Sequence, residues 1–210
     1  MGRVTLLELQ KKNASRFSVF IDGEFALGID ADLAVQYGLE EGQEISAGKL
    51  DCLRAVESER RSQEIALRYI RHAPRSEHDV RMRLQRSGAD ASVVDRVISS
   101  IRDMGYLDDR TFARDYVSNR VRHKGFGPIR LRHELLRHGV PQRWIEEALT
   151  ECSAPDALIH TARALAEKRW PRLSGPAAKR RRKMREFLVR RGYSSDIAHR
   201  VIRELESLDS

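Results

Sequence analysis

Hydrophobic residues follow one period near the start of this chain and another after about residue 48. In the first stretch Val4, Leu6 and Glu8 fall on one side of an extended strand, and Thr5, Leu7 and Leu9 on the other. Phe17, Val19 and Ile21 then alternate with Arg16, Ser18 and Phe20. After Asp22-Gly23, a two-residue turn signal, Phe25, Leu27 and Ile29 resume the alternation. A period of two broken by such a turn predicts a small antiparallel sheet of about three strands. Asp30 is placed to cap a short helix through Tyr37, with Gly38 at its end. Residues 42–46 add a short strand or an extended link.

From about Gly48 the pattern turns helical and stays so. A first long helix is expected from near Lys49 or Ser58 to His72, stopped by Pro74. Ser76 and Asp79 then read as a cap, Gly88 as a helix end, and Asp90 as the cap of a helix carrying Val93, Val94, Val97, Ile98 and Ile101. The same plan recurs. Asp108 caps a helix with Phe112, Ala113, Tyr116 and Val117; Gly125, Gly127 and Pro128 separate it from one with Leu131 and Leu135. Gly139 ends that helix, and Pro141 opens the next, whose apolar face is Trp144, Ile145, Ala148 and Leu149. A third copy follows Pro155, with a helix over 156–169, a loop at Leu173 to Pro176, a very basic helix up to Gly192 and a last helix from Ser194.

Gly88, Gly139 and Gly192 are 51 and 53 residues apart. Four residues before them stand Leu84, Leu135 and Leu188, and eight before stand Val80, Leu131 and Met184. Nine and ten residues after stand Val97-Ile98, Ala148-Leu149 and Val201-Ile202. One apolar code repeated at this period describes stacked helical units that cannot each bury their faces alone. The expected fold is mainly α: three tandem three-helix repeats in an extended, curved array, preceded by a small antiparallel β segment. The expected boundaries are 1–48 for the β segment with its short helix, and 49–107, 108–152 and 153–210 for the repeats.

Composition agrees. Charged residues make up 33% and hydrophobic ones 40%, against about 25% and 45–50% in ordinary domains, which favours much surface per residue. Net charge is +8, unevenly spread. Residues 1–64 carry 8 Lys+Arg against 12 Asp+Glu, residues 65–150 carry 17 against 11, and residues 151–210 carry 14 against 8. The basic character belongs to the helical part and suits a polyanion; a set of solvated helix faces is the plainer alternative. Cys52 and Cys152 match no disulfide framework or metal spacing and read as buried small hydrophobes in a reducing compartment. With neither an apolar leader nor a span-length apolar run, the expected location is the cytoplasm, without membrane association.

Arginine shares the register. Arg81, Arg132 and Arg185 lie seven residues before the glycines, flanking the core stripe, and Arg86, Arg137 and Arg190 lie two before, pointing away from it. The second set serves either a binding face or the negative end of each helix dipole. The run Lys179 to Lys183 is less favourable, since neighbouring like charges on a helix repel, and an anionic partner would offset that repulsion. No aromatic residues interleave with it as in a stacking platform for single strands. Asp108-Asp109 reads as a helix cap rather than a metal site. The seven histidines show no ligand spacing, Lys124-Gly-Phe-Gly-Pro lacks the Lys-Ser/Thr of a phosphate loop, and no nucleophile-base set stands out. Neither enzyme chemistry, a cofactor nor a metal is expected.

Gly105-Tyr-Leu-Asp-Asp, with Phe112-Ala and Tyr116-Val, then Lys124-Gly-x-Gly-Pro-Ile-Arg, Glu134-Leu-Leu and Gly139-Val140, resembles the central signature of the RecX family. Ala66-Leu67 and Pro74-Arg-Ser-Glu77 extend the resemblance, and Phe20-Ile-Asp-Gly-Glu-Phe-Ala-Leu-Gly28 is similar to the N-terminal extension of longer members. The resemblance implies a non-enzymatic regulator of the RecA recombinase. Such a protein lies in the groove of the RecA–DNA filament and restrains strand exchange, ATP hydrolysis and coprotease activity, with consequences for DNA repair and the SOS response. Separately from the resemblance, the basic faces lead us to expect weak, non-specific binding to nucleic acid, and the apolar code a monomer. Expected contacts are Arg86 in the first repeat and Lys124, Arg130, Arg132 and Arg137 in the second. In the third they are Arg180, Arg181, Arg182, Lys183 and Arg190. The competing reading is a direct DNA-binding protein using helix-turn-helix-like modules, which the scarcity of Asn and Gln on the candidate faces disfavours.

Overall fold

The structure, a computed structural model, describes residues 1–11, 13–152 and 154–209. These divide into two compact units, one comprising Met1–Ala73 and Arg81–Met104, the other Pro74–Val80 and Gly105–Ser210.

In the first unit, strands β1 (Gly2–Gln10), β2 (Asn13–Ile21), β3 (Glu24–Asp30) and β4 (Glu44–Ile45) form an antiparallel sheet in the order β3-β2-β1-β4. The Asp22-Gly23 turn joins β2 to β3 with both residues at positive φ, 51° and 87°, as a tight hairpin of native twist requires. The alternation expected along β1 fails after Val4. The pairing register shifts between Val4 and Leu6, so parity inverts: Val4 is buried and Leu7 packs beside it, while Leu6 is exposed. A β-bulge has this effect because its extra residue turns every later side chain to the other face.

Helix α1 (Ala31–Gln36) is capped by Asp30, whose side chain accepts from the Asp32 amide at 2.9 Å. Helix α2 (Ala47–His72) starts at the cap Ser46 and lays Leu53 into a core of Val4, Val19, Leu27, Ile29, Leu33 and Ile45. A buried polar link fixes it to the sheet. The Glu57 carboxylate takes an ion pair from Arg16 and the Asp30 amide at 2.9 Å, and Arg60 reaches Asp30 at 2.9 Å. Cys52, expected in a core, is exposed on α2; the Cys152 side chain lies outside the described residues.

The repeats appear as α2 with α3 (Glu77–Arg86) and α4 (Ala91–Asp103), then α5 (Asp109–Lys124), α6 (Pro128–Arg137) and α7 (Gln142–Cys152), then α8 (Pro155–Arg169), α9 (Ala177–Arg190) and α10 (Ser195–Asp209). The apolar code is satisfied, since Val80, Leu84, Leu131, Leu135, Met184 and Leu188 are all fully buried. Asp108 caps α5 through the Arg110 and Thr111 amides at 2.9 and 3.2 Å. Its neighbour Asp109 caps a different helix. It accepts from the Glu77 amide at 2.8 Å, at the start of α3. Burial, aided by the nearby Glu77, Asp108 and Asp79 carboxylates, pushes the Asp109 carboxyl above its ordinary range despite that bond.

The repeat glycines do more than end helices. At the junction of the second and third repeats, the Gly127 and Ile129 amides at the start of α6 donate to the Arg191 and Gly192 carbonyls at 2.8 and 3.1 Å. A Cβ on Gly127 would stand 2.4 Å from the Gly192 oxygen, and one on Gly192 2.4 Å from the Arg130 Cβ. Tyr193, itself buried, donates to the Gly125 carbonyl at 3.2 Å. Within the second unit, the start of α3 meets the second repeat in a similar way. His78 sits against Gly139, and the Ser76 hydroxyl donates to the His138 carbonyl at 2.5 Å. Each such glycine receives the first turn of the preceding repeat's middle helix. Gly88, which has no preceding repeat, has nothing within 4 Å of its Cβ position.

Candidate functional site

The candidate surface consists of the arginine rows on the middle helices. Helical rotation of about 100° per residue separates positions seven and two before the glycine, and the two rows have different surroundings. Arg81 pairs with Asp95 on α4 at 2.5 Å. Arg132 makes a two-pronged pair with Glu146 on α7, at 2.8 and 2.6 Å, and these bonds hold the Glu146 carboxyl below its ordinary range. Both acids lie fourteen residues beyond their arginine. The same offset leads from Arg185 to His199, so the third repeat has no acid there. Arg185 is exposed and takes part in no ion pair among the described residues.

The second row differs. Arg86, Arg137 and Arg190 are all exposed, and none makes an ion pair or side-chain hydrogen bond among the described residues. Arg137 and Arg190 line one shallow groove of about 330 Å³ with Ile129, Arg130, His133 and Val189. Its floor is the glycine junction of α6 with the end of α9. Arg130 enters with its guanidinium 3.7 Å from the Phe126 ring centre and its Nε bonded to Glu134 at 3.0 Å. Burial alone would raise the Glu134 carboxyl, but hydrogen bonds from Arg130 and Tyr116 and the Arg120 charge outweigh it and hold it below its ordinary range. Arg130 is therefore anchored, while Arg137 and Arg190 extend freely from the same groove.

The remaining candidates divide likewise. Lys124 is exposed, and its carbonyl accepts a hydrogen bond from Arg191. On α9, Arg180 lies 4.5 Å over the Trp170 ring, Arg181 reaches Glu206 at 3.6 Å, and Arg182 reaches Glu186 at 3.7 Å. Lys183 has no charged partner among the described residues. Sequence reading missed two things here: the Arg–acid pairing at an offset of fourteen, legible in the spacing once the glycines are aligned, and the groove itself, which needs the packing of one repeat on the next.

No group of three or more His, Cys, Asp or Glu among the described residues is arranged to hold a metal ion. No helix among them is long and apolar enough to cross a membrane.

Comparison with known proteins gives this geometry a family. Residues 2–46 match the Regulatory protein RecX N-terminal domain, and residues 64–100, 108–149 and 159–202 match the first, second and third RecX three-helix domains. The regulatory protein RecX of Geobacillus kaustophilus is 32% identical over 207 residues, covering 96% of this chain and 77% of that one. That of Staphylococcus carnosus is 28% identical over 206 residues, covering 98% and 77%. A crystal structure of regulatory protein RecX shares the fold with a TM-score of 0.71 at 23% identity, covering 96% of this chain and 98% of that one. The crystal structure of RecX from Lactobacillus salivarius does so with a TM-score of 0.65 at 22% identity, covering 72% and 98%. With its N-terminal β segment and its three three-helix domains all matched in order, the chain belongs to the RecX family of regulatory proteins.

Proposed function

We propose that this protein is a non-enzymatic, cytoplasmic modulator of RecA that acts as a monomer. It binds the RecA–DNA filament in its groove and restrains recombination, ATP hydrolysis and coprotease activity. The observation that carries this reading is the pair Arg137 and Arg190, two unpaired guanidiniums from successive repeats in one groove. A helix gains little from an exposed arginine beyond a few tenths of a kcal/mol at its dipole. The same residue opposite an anionic groove gains a charge-assisted, often bidentate hydrogen bond. Lys183 and Arg185 add unpaired charge on the same helix as Arg190. Arg81 and Arg132 are neutralised within their own repeats and serve to hold α3 to α4 and α6 to α7. Contacts to phosphate oxygens and to acidic side chains of a protein–nucleic acid filament require no base-reading residues.

The test replaces Arg137, Lys183 and Arg190 together by Glu and measures RecA ATP hydrolysis on single-stranded DNA. Loss of inhibition by a variant with unchanged far-UV circular dichroism supports the assignment. Full inhibition by that variant refutes it.

A further inference from the structure

The first unit contains a second concentration of positive charge, unrelated to the repeat register. Arg54, Arg61 and Arg68 stand at intervals of seven on α2, hence on one face and about 10.5 Å apart along the axis. Arg61 and Arg68 line a cleft of about 470 Å³ between α2 and the sheet, together with Gln10, Arg16, Phe25, Ile65 and one acid, Glu64. A smaller cleft of about 220 Å³ shares Arg16, Gly28, Arg61 and Ile65 with it and continues past Arg54 to Gly88.

Three observations mark the larger cleft as a site. First, Arg61 and Arg68 make no ion pair or hydrogen bond among the described residues. Glu64 stands within helical reach of both, three residues from one and four from the other, spacings that normally pair. Its ion pair is instead with Arg60, at 3.7 Å. Second, the other charges at the wall of this cleft are already engaged: Arg16 is held by buried Glu57 and Glu64 by Arg60, while Arg54, on the smaller cleft, is held by Asp51 and the Ala26 carbonyl, each at 3.4 Å. The two exposed guanidiniums are thus the ones at this cleft left without a partner among the described residues. Third, Phe25 on the edge strand β3 is 61% exposed at the same cleft, held edge-on by Phe20 with ring centres 5.8 Å apart. An isolated exposed Phe is ordinary; an exposed ring beside two unpaired arginines in one cleft is the pairing that single-stranded nucleic acid uses, backbone on cations and base on ring.

We infer that the α2–β3 cleft of the first unit binds single-stranded nucleic acid, with Arg61 and Arg68 on the phosphates and Phe25 stacked on a base. A duplex offers phosphates but keeps its bases out of reach of Phe25. An acidic peptide would use the arginines but gain little from the ring. The 1–64 stretch as a whole carries more Asp+Glu than Lys+Arg, 12 against 8, so attraction here is confined to the cleft rather than spread over the unit. This site is independent of the groove at Arg137 and Arg190, and neither proposal depends on the other.

The experiment uses the full chain, a fluorescent oligo(dT) and anisotropy over a range of salt, with ultraviolet cross-linking and peptide mapping to locate the strand. The expected results are a cross-link at Phe25, an approximately tenfold loss of affinity in Phe25→Ala, and a salt slope smaller by about 1.4 in Arg61→Gln/Arg68→Gln, two phosphates at about 0.7 each. Cross-links confined to the second and third repeats, with both variants binding like the parent, would overturn the proposal. So would equal competition by an oligo-glutamate peptide together with no effect of Phe25→Ala. Circular dichroism of each variant separates loss of binding from loss of fold.

Discussion

Three alanine substitutions separate the two reasons for glycine in the repeat register. Gly127 has an ordinary φ of −84°, so an alanine there meets no backbone strain, but its Cβ would stand 2.4 and 2.5 Å from the Gly192 carbonyl oxygen and carbon and 2.8 Å from the Tyr193 amide. These are backbone atoms that cannot swing aside. Relief requires α6 to retreat from the end of α9. Overpacking of this kind costs about 1–3 kcal/mol, and loosening the bonds from Gly127 to Arg191 and from Ile129 to Gly192 adds about 1 kcal/mol each. Gly88 is the converse. Its φ is 85° with nothing within 4 Å, so alanine costs only left-handed strain, about 1–2 kcal/mol. Gly192, with φ of 95° and the Arg130 Cβ and nitrogen at 2.4 and 2.5 Å, carries both penalties.

The expected order is therefore Gly88→Ala mildest, Gly127→Ala intermediate at about 3–5 kcal/mol, and Gly192→Ala most severe, near the sum of the other two. Each variant gains a few tenths of a kcal/mol or more from a stiffer unfolded chain, which lowers all three values alike and leaves their order intact. Urea denaturation followed by far-UV circular dichroism measures all three. Trp144 and Trp170, the chain's two tryptophans, both lie in the second unit and report the junction variants by fluorescence. Stability of Gly127→Ala within about 0.5 kcal/mol of the parent, the scale of an ordinary surface change, would refute the reading of the junction as a packed interface.

Burial pushes the Tyr193 hydroxyl up to about 12, so the neutral phenol is the form the fold favours. That stability, about 3 kcal/mol at 1.36 kcal/mol for each tenfold change in acid dissociation, is complete below pH 10 and drains away between pH 10 and about 12. Tyr193→Phe removes this alkaline phase for a cost of about 1 kcal/mol at neutral pH, both seen in thermal melts across that range. Glu57→Ala leaves half-buried Arg16 without its counter-charge and the Asp30 amide without its acceptor, and is expected to cost about 3 kcal/mol; a decrease under about 1 kcal/mol in urea, no more than an ordinary hydrogen bond, would contradict the buried link. His199→Glu supplies the third repeat with the acid that the first two have. It should leave stability level or up to about 1 kcal/mol higher while lowering the salt slope of duplex DNA binding by about 0.9 for each phosphate left without its cation.

Much of the fold is legible because its signals are local. Ser76 with Asp79, Asp108 with Thr111, and the three glycines each act within a few residues, and the apolar code at offsets of four and eight follows from helical period alone. The failures are equally physical. The bulge between Val4 and Leu6 is set by pairing with β2, so a strictly alternating reading assigns Leu6 and Leu7 to the wrong faces. Asp109 reads as part of its own helix's cap because adjacency in sequence says nothing of α3, whose amide it accepts. The glycines read as helix ends, which explains their positive φ but not the approach of Arg130 to Gly192. Of the candidate surface, the exposure of Arg86, Arg137 and Arg190 followed from helical rotation. The commitment of Arg132 to Glu146 and of Arg180 to Trp170 did not, since the partner lies on another element.

The contrast between repeats suggests how a stabilising register can double as a binding one. In the first two repeats the position seven before the glycine is an arginine balanced by an acid fourteen residues on, a pair that ties the middle helix to the last at little net charge. An exposed pair of this sort is worth about 0.2–1 kcal/mol, so replacing its acid costs the fold little. The field changes far more: a position that summed to zero now carries a full positive charge. The third repeat has His199 where the first two have an acid, and α9, which bears Arg185, also bears Lys179, Lys183 and Arg190 with no acid paired to them among the described residues. In a helical repeat whose core code must be kept, the least disruptive way to a polyanion-facing surface is to delete acids rather than to add arginines. On that argument the charge of Arg185 and the absence opposite it belong to one feature, and restoring the acid at position 199 should silence the surface without disturbing the helices that carry it.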